Sequence, residues 1–313
     1  MSNEIAVLRP LSPLGMEAAE AIAPSHDLVG HPDRLGALAE LGDRIGYVLT
    51  DGHNGFTLEM ADRLPNLRHV SCYGVGYDGI DVTGLTARGI PVSNTPDVLN
   101  DAVAELAVGM MLGLARDMVR IDNGVRAGEW TKSEIRLTGQ LAGSKAGIIG
   151  LGRIGKEIAA RLVPMKVDVS YHGRTEQTDQ PYRYFGDLTA MAAEVHWLIC
   201  ITPGGAGTKH MVDAGVLSAL GPEGALLNIS RGSVVDEAAM LAALQSGALG
   251  GAALDVFENE PKINKAFFDL PNVLLQAHQG SATVKTRTAM AQLALDNIAA
   301  HLAGKPLITP VEA

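Results

Sequence analysis

Basic residues, cysteines and aromatic residues are all scarce in this chain of 313 residues. Lys and Arg number 25 against 35 Asp and Glu, a net charge of -10. A nucleic-acid partner needs a basic face to meet phosphates, so this balance argues against one. The two cysteines, Cys72 and Cys200, lie in apolar, strand-like runs and form no C-x-x-C pair. They read as buried thiols in a reducing compartment. Two cysteines cannot build a structural zinc site, and the histidines outside the segments discussed below show no metal-ligand spacing. No stretch reaches the ~20 uninterrupted apolar residues of a spanning helix. The N-terminus lacks a basic segment followed by a long apolar run. The expectation is a cytoplasmic protein without a membrane, nucleic-acid or metal partner.

The chain has 47% hydrophobic and 19% charged residues, the composition of an ordinary globular protein. Its length suits two domains rather than one core. The run from Lys145 to Gly155 organises the rest. An apolar burst meets a G-x-G-x-x-G spacing at Gly150, Gly152 and Gly155, and a helical pattern follows. Gly150 allows a tight turn out of a strand, Gly152 lets a pyrophosphate approach the backbone, and Gly155 lets the helix pack on the strand. Free N–H groups and the dipole at the helix start then favour phosphate charge. A Gly-rich turn alone is often just a turn; strand before and helix after make this one a dinucleotide turn.

The first third alternates strand-like runs (5–8, 45–50, 69–73) with helical candidates (13–23, 32–41, 58–64). That is βαβ grammar and predicts a small parallel sheet. Residues 73–78 end one strand in a Gly-rich turn, either a plain turn or a nest of backbone N–H groups for an anion. Residues 90–96 carry two prolines and read as an extended domain crossing. Asn100 or Asp101 can cap one long helix over 102–126, apolar on most sides, whose cover could be a second subunit. From Gly147 the rhythm resumes, with about six strands expected (146–149, 167–171, 197–201, 225–229, 251–254, 273–275) and one terminal helix over 284–303.

The second strand of this half ends in His172-Gly173-Arg174-Thr175. An NAD site usually places an Asp or Glu there for the ribose hydroxyls. None stands at that strand end; Asp168 lies within the strand at the wrong offset. Arg174 offers a fork donor suited to a 2′-phosphate, Thr175 a hydroxyl and His172 a further donor, so the reading is NADP rather than NAD. Three later strand candidates each end in polar residues: Arg231 after the first, Asp255 and Glu260 after the second, His278 after the third. Groups at the carboxyl ends of strands converge on the ligand cleft of a doubly wound sheet. Arginine clamps a carboxylate, histidine supplies a proton to a developing alkoxide, and a neighbouring carboxylate orients the ring. Singly, each residue has a structural account; the joint placement suits hydride transfer at a 2-oxo acid. His53 reads first as a loop residue and second as a substrate contact.

Six segments carry a family resemblance: YGVGYDGID (73–81), residues 94–116, GIIGLGRIG (147–155), NISRGSVVDEAAM (228–240), GAALDVFENEP (251–261) and AHQGSAT (277–283). With them the chain resembles the D-isomer-specific 2-hydroxyacid dehydrogenases over nearly its whole length. HGRT (172–175) and SATVKTRTAM (281–290) are similar to NADP-dependent glyoxylate/hydroxypyruvate and hydroxyphenylpyruvate reductases. The resemblance implies an α/β fold of two doubly wound parallel-sheet domains. A Rossmann nucleotide domain (98–283) would be inserted into a flavodoxin-like substrate domain (1–97 plus 284–313). It implies NADPH-dependent reduction of a small 2-oxo acid. Arg231 would bind substrate, His278 would be the general acid, and Glu260 its carboxylate partner. The backbone at Val75 and Gly76 would hold the substrate carboxylate. Gly150, Gly152, Arg153, Ile154, Gly155, His172, Arg174, Thr175, Thr202, Asp255 and Gly280 would line the cofactor. A homodimer would form on the helix at 102–126, with Trp130 a candidate to reach the partner's pocket. Ala277 and Gln279 depart from the family's pattern on either side of His278. NAD-dependent oxidation in the same family, and a dinucleotide-sensing corepressor, are the rival readings.

Overall fold

The computed structural model describes residues 3–131 and 137–312. Two compact units emerge: Met1–Leu99 with Thr283–Ala313, and Asn100–Ala282. The first carries β1 (Glu4–Val7), α1 (Pro13–Ile22), β2 (Ser25–Asp27), α2 (Arg34–Leu41), β3 (Ile45–Thr50), α3 (Leu58–Ala61), β4 (His69–Cys72), α4 (Val82–Ala87) and β5 (Val92–Ser93). Its strands run parallel in the order β2-β1-β3-β4-β5. That is the flavodoxin-like doubly wound order. β3 and β4 are buried throughout, which is why they are legible as short, largely apolar runs. β2 reads Ser-His-Asp and has no apolar residue, so no hydrophobic pattern announces it. The extended segment at 90–96 supplies β5, and the division between units falls after Leu99.

The second unit carries α5 (Asn100–Ala115), α6 (Met118–Arg126), β6 (Lys145–Ile149), α7 (Arg153–Leu162), β7 (Asp168–His172), β8 (Arg183–Phe185), α8 (Leu188–Ala192), β9 (Trp197–Cys200), α9 (Ala214–Leu220), β10 (Ala225–Asn228), α10 (Glu237–Ser246), β11 (Gly251–Leu254) and β12 (Val273–Leu275). Its parallel sheet has the order β12-β11-β10-β9-β6-β7-β8. Counted from β6, this is the Rossmann order 3-2-1-4-5-6 with one strand added beyond the sixth. The fold class is therefore two parallel-sheet α/β domains. Among the described residues this sheet has seven strands where about six were expected. The unexpected one, β8, is a three-residue edge strand paired only to β7, and its Arg-Tyr-Phe has no apolar run to announce it. Finally α11 (Val284–Leu302) returns to the first unit, where it packs on α1 and β4. Most of the described helices start at a side-chain cap, including Ser12, Asp33, Asp236 and Thr283.

The single helix expected over 102–126 is two. Asp117 adopts φ 50°, in the left-handed region, and separates α5 from α6. Neither Asn100 nor Asp101 precedes the helix as a cap; both belong to its first turn. The apolar face of α5 is covered within its own unit, by α7 and by β10, β11 and β12. Gly113 explains how closely it fits, since a Cβ there would stand 2.8 Å from Leu274. The exposed apolar residues lie instead on α6: Met118, Val119, Ile121 and Val125. Among the described residues no helix is long and apolar enough to cross a membrane.

Candidate active site

The glycine turn connects β6 to α7. Gly150 adopts φ 100°, and an added Cβ would meet the Ile201 carbonyl oxygen at 3.1 Å. Gly155 lies in the first turn of α7, where a Cβ would sit 2.2 Å from the Gly150 oxygen. These two glycines are demanded by the protein's own packing. Gly152 is different. It is exposed, nothing lies within 4 Å of its Cβ position, and it starts α7 without any side-chain cap. The bare helix start and open space fit a phosphate group. Across the turn, the Thr202 hydroxyl oxygen is buried with no hydrogen-bond partner among the described residues. A ligand hydroxyl or phosphate would satisfy it.

β7 ends at His172, whose Nδ1 donates to the Phe185 carbonyl at 2.9 Å and so is committed to β8. Arg174 and Thr175 follow, both exposed, and Arg174 makes no ion pair among the described residues. Asp168 opens β7, at the end of the strand opposite His172, and is exposed. Glu176 is exposed just beyond Thr175. One residue here gave no sequence signal. The Gln177 side chain donates to the Leu151 carbonyl at 2.9 Å and its amide to the Tyr171 hydroxyl at 2.6 Å. The arginine-bearing loop is thereby tied to the glycine turn. Arg153 and Ile154 open α7, exposed and half-buried respectively.

The polar residues after β10, β11 and β12 emerge from three adjacent strands. After β10, the Asn228 side chain closes the turn. Its oxygen accepts from the Ser230 amide and hydroxyl, and its nitrogen donates to the Arg231 carbonyl. Arg231 donates to the Ser230 carbonyl at 2.8 Å. The next residue, Gly232, lies so near the following loop that a Cβ would stand 1.9 Å from the Phe257 carbonyl carbon. The Phe257 amide in turn donates to Glu260 at 2.9 Å. The other Glu260 oxygen accepts from His278 Nδ1 at 2.7 Å. Arg231, Glu260 and His278 are thus linked through one run of backbone and side-chain contacts. With Nδ1 bound to the carboxylate, Nε2 of His278 is the nitrogen left for chemistry. The His278 side chain is 43% exposed, Glu260 17%.

His278 itself adopts φ 53°, an unusual conformation for a residue with a Cβ. Asp255 holds it there. The Asp255 carbonyl accepts from the His278 amide at 2.8 Å, and its two carboxylate oxygens accept from the amides of Gln279 and Gly280 at 2.6 and 2.9 Å. Burial pushes the Asp255 carboxyl above its ordinary range, while those two amides pull it back. Asp255, expected to line the cofactor, uses both carboxylate oxygens in shaping the histidine loop. Gln279 also caps that loop, donating from its side chain to the Ala277 carbonyl at 3.0 Å.

In the first unit, the turn at 73–76 leaves amides without acceptors. The amide of Gly74 donates to Cys72, whereas those of Val75 and Gly76 meet no acceptor among the described residues. The Val75 carbonyl accepts from the Asn94 side chain at 3.0 Å. Gly52 packs against this turn, and a Cβ there would stand 2.3 Å from the Gly76 oxygen. His53 is exposed beside it and is a loop residue whose amide binds Asp51. Trp130 is 69% exposed.

Comparison with known proteins shows the family of the chain. Residues 108–280 match the family model described as D-isomer specific 2-hydroxyacid dehydrogenase, NAD binding domain. A hydroxyphenylpyruvate reductase from Plectranthus scutellarioides is 41% identical over 280 residues, 90% of each chain. A 2-ketogluconate reductase from Gluconobacter oxydans is 41% identical over 308 residues, 98% of each. An NADPH-dependent glyoxylate/hydroxypyruvate reductase from Sinorhizobium meliloti, solved with NADP and malonate, superposes with a TM-score of 0.94. It is 39% identical, over 99% of this chain and 97% of that one. With its glycine turn, its paired histidine and glutamate and these relatives, the chain belongs to the D-isomer specific 2-hydroxyacid dehydrogenase family of oxidoreductases.

Proposed function

We propose that the protein reduces a 2-oxo acid of the glyoxylate/hydroxypyruvate class to the D-2-hydroxy acid with NADPH. The observation that carries this reading is the His278–Glu260 pair at 2.7 Å, on a loop that Asp255 builds beside the Arg231 turn. Arg231 clamps the substrate through its guanidinium fork. His278 gives the Nε2 proton to the carbonyl oxygen as charge develops there, and Glu260 keeps the ring turned for that transfer. The free amides of Val75 and Gly76 receive the substrate carboxylate. Bound NADPH supplies the hydride. Gly150, Gly152, Arg153, Ile154 and Gly155 receive its pyrophosphate, with Thr202, Asp255 and Gly280 lining the rest. Arg174, Thr175 and His172 meet the 2′-phosphate end. Arg174 has no acid partner to release and suits that phosphate. The exposed apolar side chains of α6 support a homodimer that buries them, with Trp130 near that surface.

Replacing His278 by Ala is expected to lower kcat with glyoxylate or hydroxypyruvate by about 10³-fold, within the range a general acid contributes. NADPH affinity, read by fluorescence titration, stays near the wild-type value. Near-normal turnover in this variant would remove the mechanism.

A further inference from the structure

The carboxyl edge of the first unit's sheet holds a cationic pair that the reading above leaves unused. β1 and β3 are neighbours there, at the point where the strand order reverses and a doubly wound sheet opens a crevice. Arg9 follows β1. Its guanidinium lies 3.7 Å from the centroid of the Tyr73 ring, and Tyr73 directly precedes the turn with the free Val75 and Gly76 amides. Arg9 is largely enclosed, its side chain 12% exposed. Its Nε donates to the Pro10 carbonyl at 2.9 Å and stands 3.8 Å from Asp51. Neither of its Nη atoms has a hydrogen-bond partner among the described residues.

Asp51 does not complete that fork. One of its oxygens is occupied by the amides of His53 and Asn54 and by the Asn54 side chain. A second cation stands near the same ring. Arg287, on α11, lies 5.9 Å from the Tyr73 centroid and has no acidic partner among the described residues. Burial is the main cause that lowers the Arg9 pKa, and Arg287 adds to it. Two guanidinia near one ring, with one carboxylate, Asp51, paired to Arg9 through Nε alone, make an edge short of negative charge. An enclosed guanidinium with an unmet fork is costly unless an acceptor reaches it.

We infer that Arg9, supported by Arg287, receives a second carboxylate at the far end of longer substrates, so that among 2-oxo acids of equal length a dicarboxylate is preferred over one with an uncharged tail. The first carboxylate goes to the Val75 and Gly76 amides, two residues beyond Tyr73. This assignment rests on the proposed 2-oxo-acid reductase activity and deepens it. It makes Arg9 a specificity determinant rather than a catalytic residue.

The test compares two four-carbon substrates in the full-length protein with saturating NADPH: oxaloacetate, with a terminal carboxylate, and 2-oxobutanoate, with a methyl. Wild type should show the higher kcat/KM for oxaloacetate. Arg9→Met should raise KM for oxaloacetate by about 10- to 100-fold, the range of a lost charge-assisted hydrogen bond, and should leave kcat and the 2-oxobutanoate KM within about threefold of wild type. Arg9→Lys should recover part of the loss. A role confined to supporting Tyr73 would move both substrates together, and that result, or no change for either, overturns the assignment. Succinate, which has no carbonyl to reduce, separates the two readings. Its binding, followed by calorimetry against butanoate as control, should be lost in Arg9→Met. If wild type reduces no 2-oxo acid yet binds succinate through Arg9, the reductase reading fails and the anion site stands. Equal succinate binding by wild type and Arg9→Met removes the site.

Discussion

At the carboxyl edge of the seven-stranded sheet, each loop bearing a proposed reacting side chain is tied by another side chain. Asn228 closes the Arg231 turn, Asp255 clamps the amides around His278, and Gln177 fastens the Arg174 loop to the glycine turn. At the carboxyl edge of the five-stranded sheet the loops are joined differently. Gly52 abuts the Gly76 backbone, and Gly55 and Gly79 pack against each other. What this edge leaves open is bare amide and a guanidinium fork. One edge is arranged to hold side chains in a fixed orientation, as proton transfer requires. The other presents backbone donors, which recognise a carboxylate by shape and charge and need no titrating group.

Substitutions can break this contrast one edge at a time. The largest effect is expected at Gly232→Ala. A Cβ driven against the Phe257 backbone cannot be relieved by a rotamer change. Stability should fall by about 3 kcal/mol, the upper end of overpacking costs, and the displaced Phe257–Glu260 turn should take most of the activity with it. Urea unfolding and steady-state turnover report the two losses; an unchanged enzyme would disconnect Gly232 from the site. Next comes Gly52→Ala, the matching change on the other edge. It should raise KM for the 2-oxo acid by about tenfold, roughly 1.4 kcal/mol of binding, while NADPH affinity holds. Loss of NADPH affinity instead would contradict the separation of tasks. Smaller and confined to one cofactor is Arg174→Ala. KM for NADPH should rise about tenfold through loss of a charge-assisted contact, with NADH little affected. An equal rise for both nucleotides would remove the assigned phosphate role.

A separate effect, read as a pH slope rather than as a single loss, concerns the amino edge of the first unit's sheet. His69 opens β4, is fully buried, donates or accepts at Nε2 with Ser93 at 2.9 Å, and stacks on His301. Its Nδ1 has no partner among the described residues. Burial pushes the His69 pKa down to about 3. The folded state therefore keeps the ring neutral where the unfolded chain, titrating near 6.5, takes up a proton. The stability contributed by the neutral ring is present above about pH 6.5 and is lost as pH falls below it. The loss approaches about 1.4 kcal/mol per pH unit at most. Unfolding of wild type and His69→Gln at pH 7.5, 6 and 5 should show a steeper acid slope in wild type. Parallel slopes would exclude His69 as the cause.

Much of the second unit was legible because its strands are buried on both faces and read as short apolar runs, each ending in an informative polar residue. Arg231, Asp255, Glu260 and His278 were found that way. The glycine turn was legible because Gly150, Gly152 and Gly155 answer to local demands at a fixed spacing. The break at Asp117 was hidden, since an apolar pattern runs across it and a left-handed φ leaves no mark on hydrophobicity. β2 and β8 were hidden because Ser-His-Asp and Arg-Tyr-Phe carry no apolar run, whereas β12, an edge strand of the same length, reads Val-Leu-Leu and was legible. Gln177 and Arg9 were hidden for another reason: each acts on a partner far along the chain.

The sequence by itself determined the α/β grammar, the nucleotide turn and the residue types available for chemistry. Those properties depend on periodicity and spacing within a dozen or so residues. Only the tertiary structure decided that Asp255 shapes the histidine loop, that α5 is covered by its own unit while α6 is left apolar and exposed, and that Arg9 lies on Tyr73 with its fork unmet. These depend on which loops the strand order brings side by side. A parallel sheet joins its strands through crossovers of many residues, so neighbours at one edge are strangers in sequence.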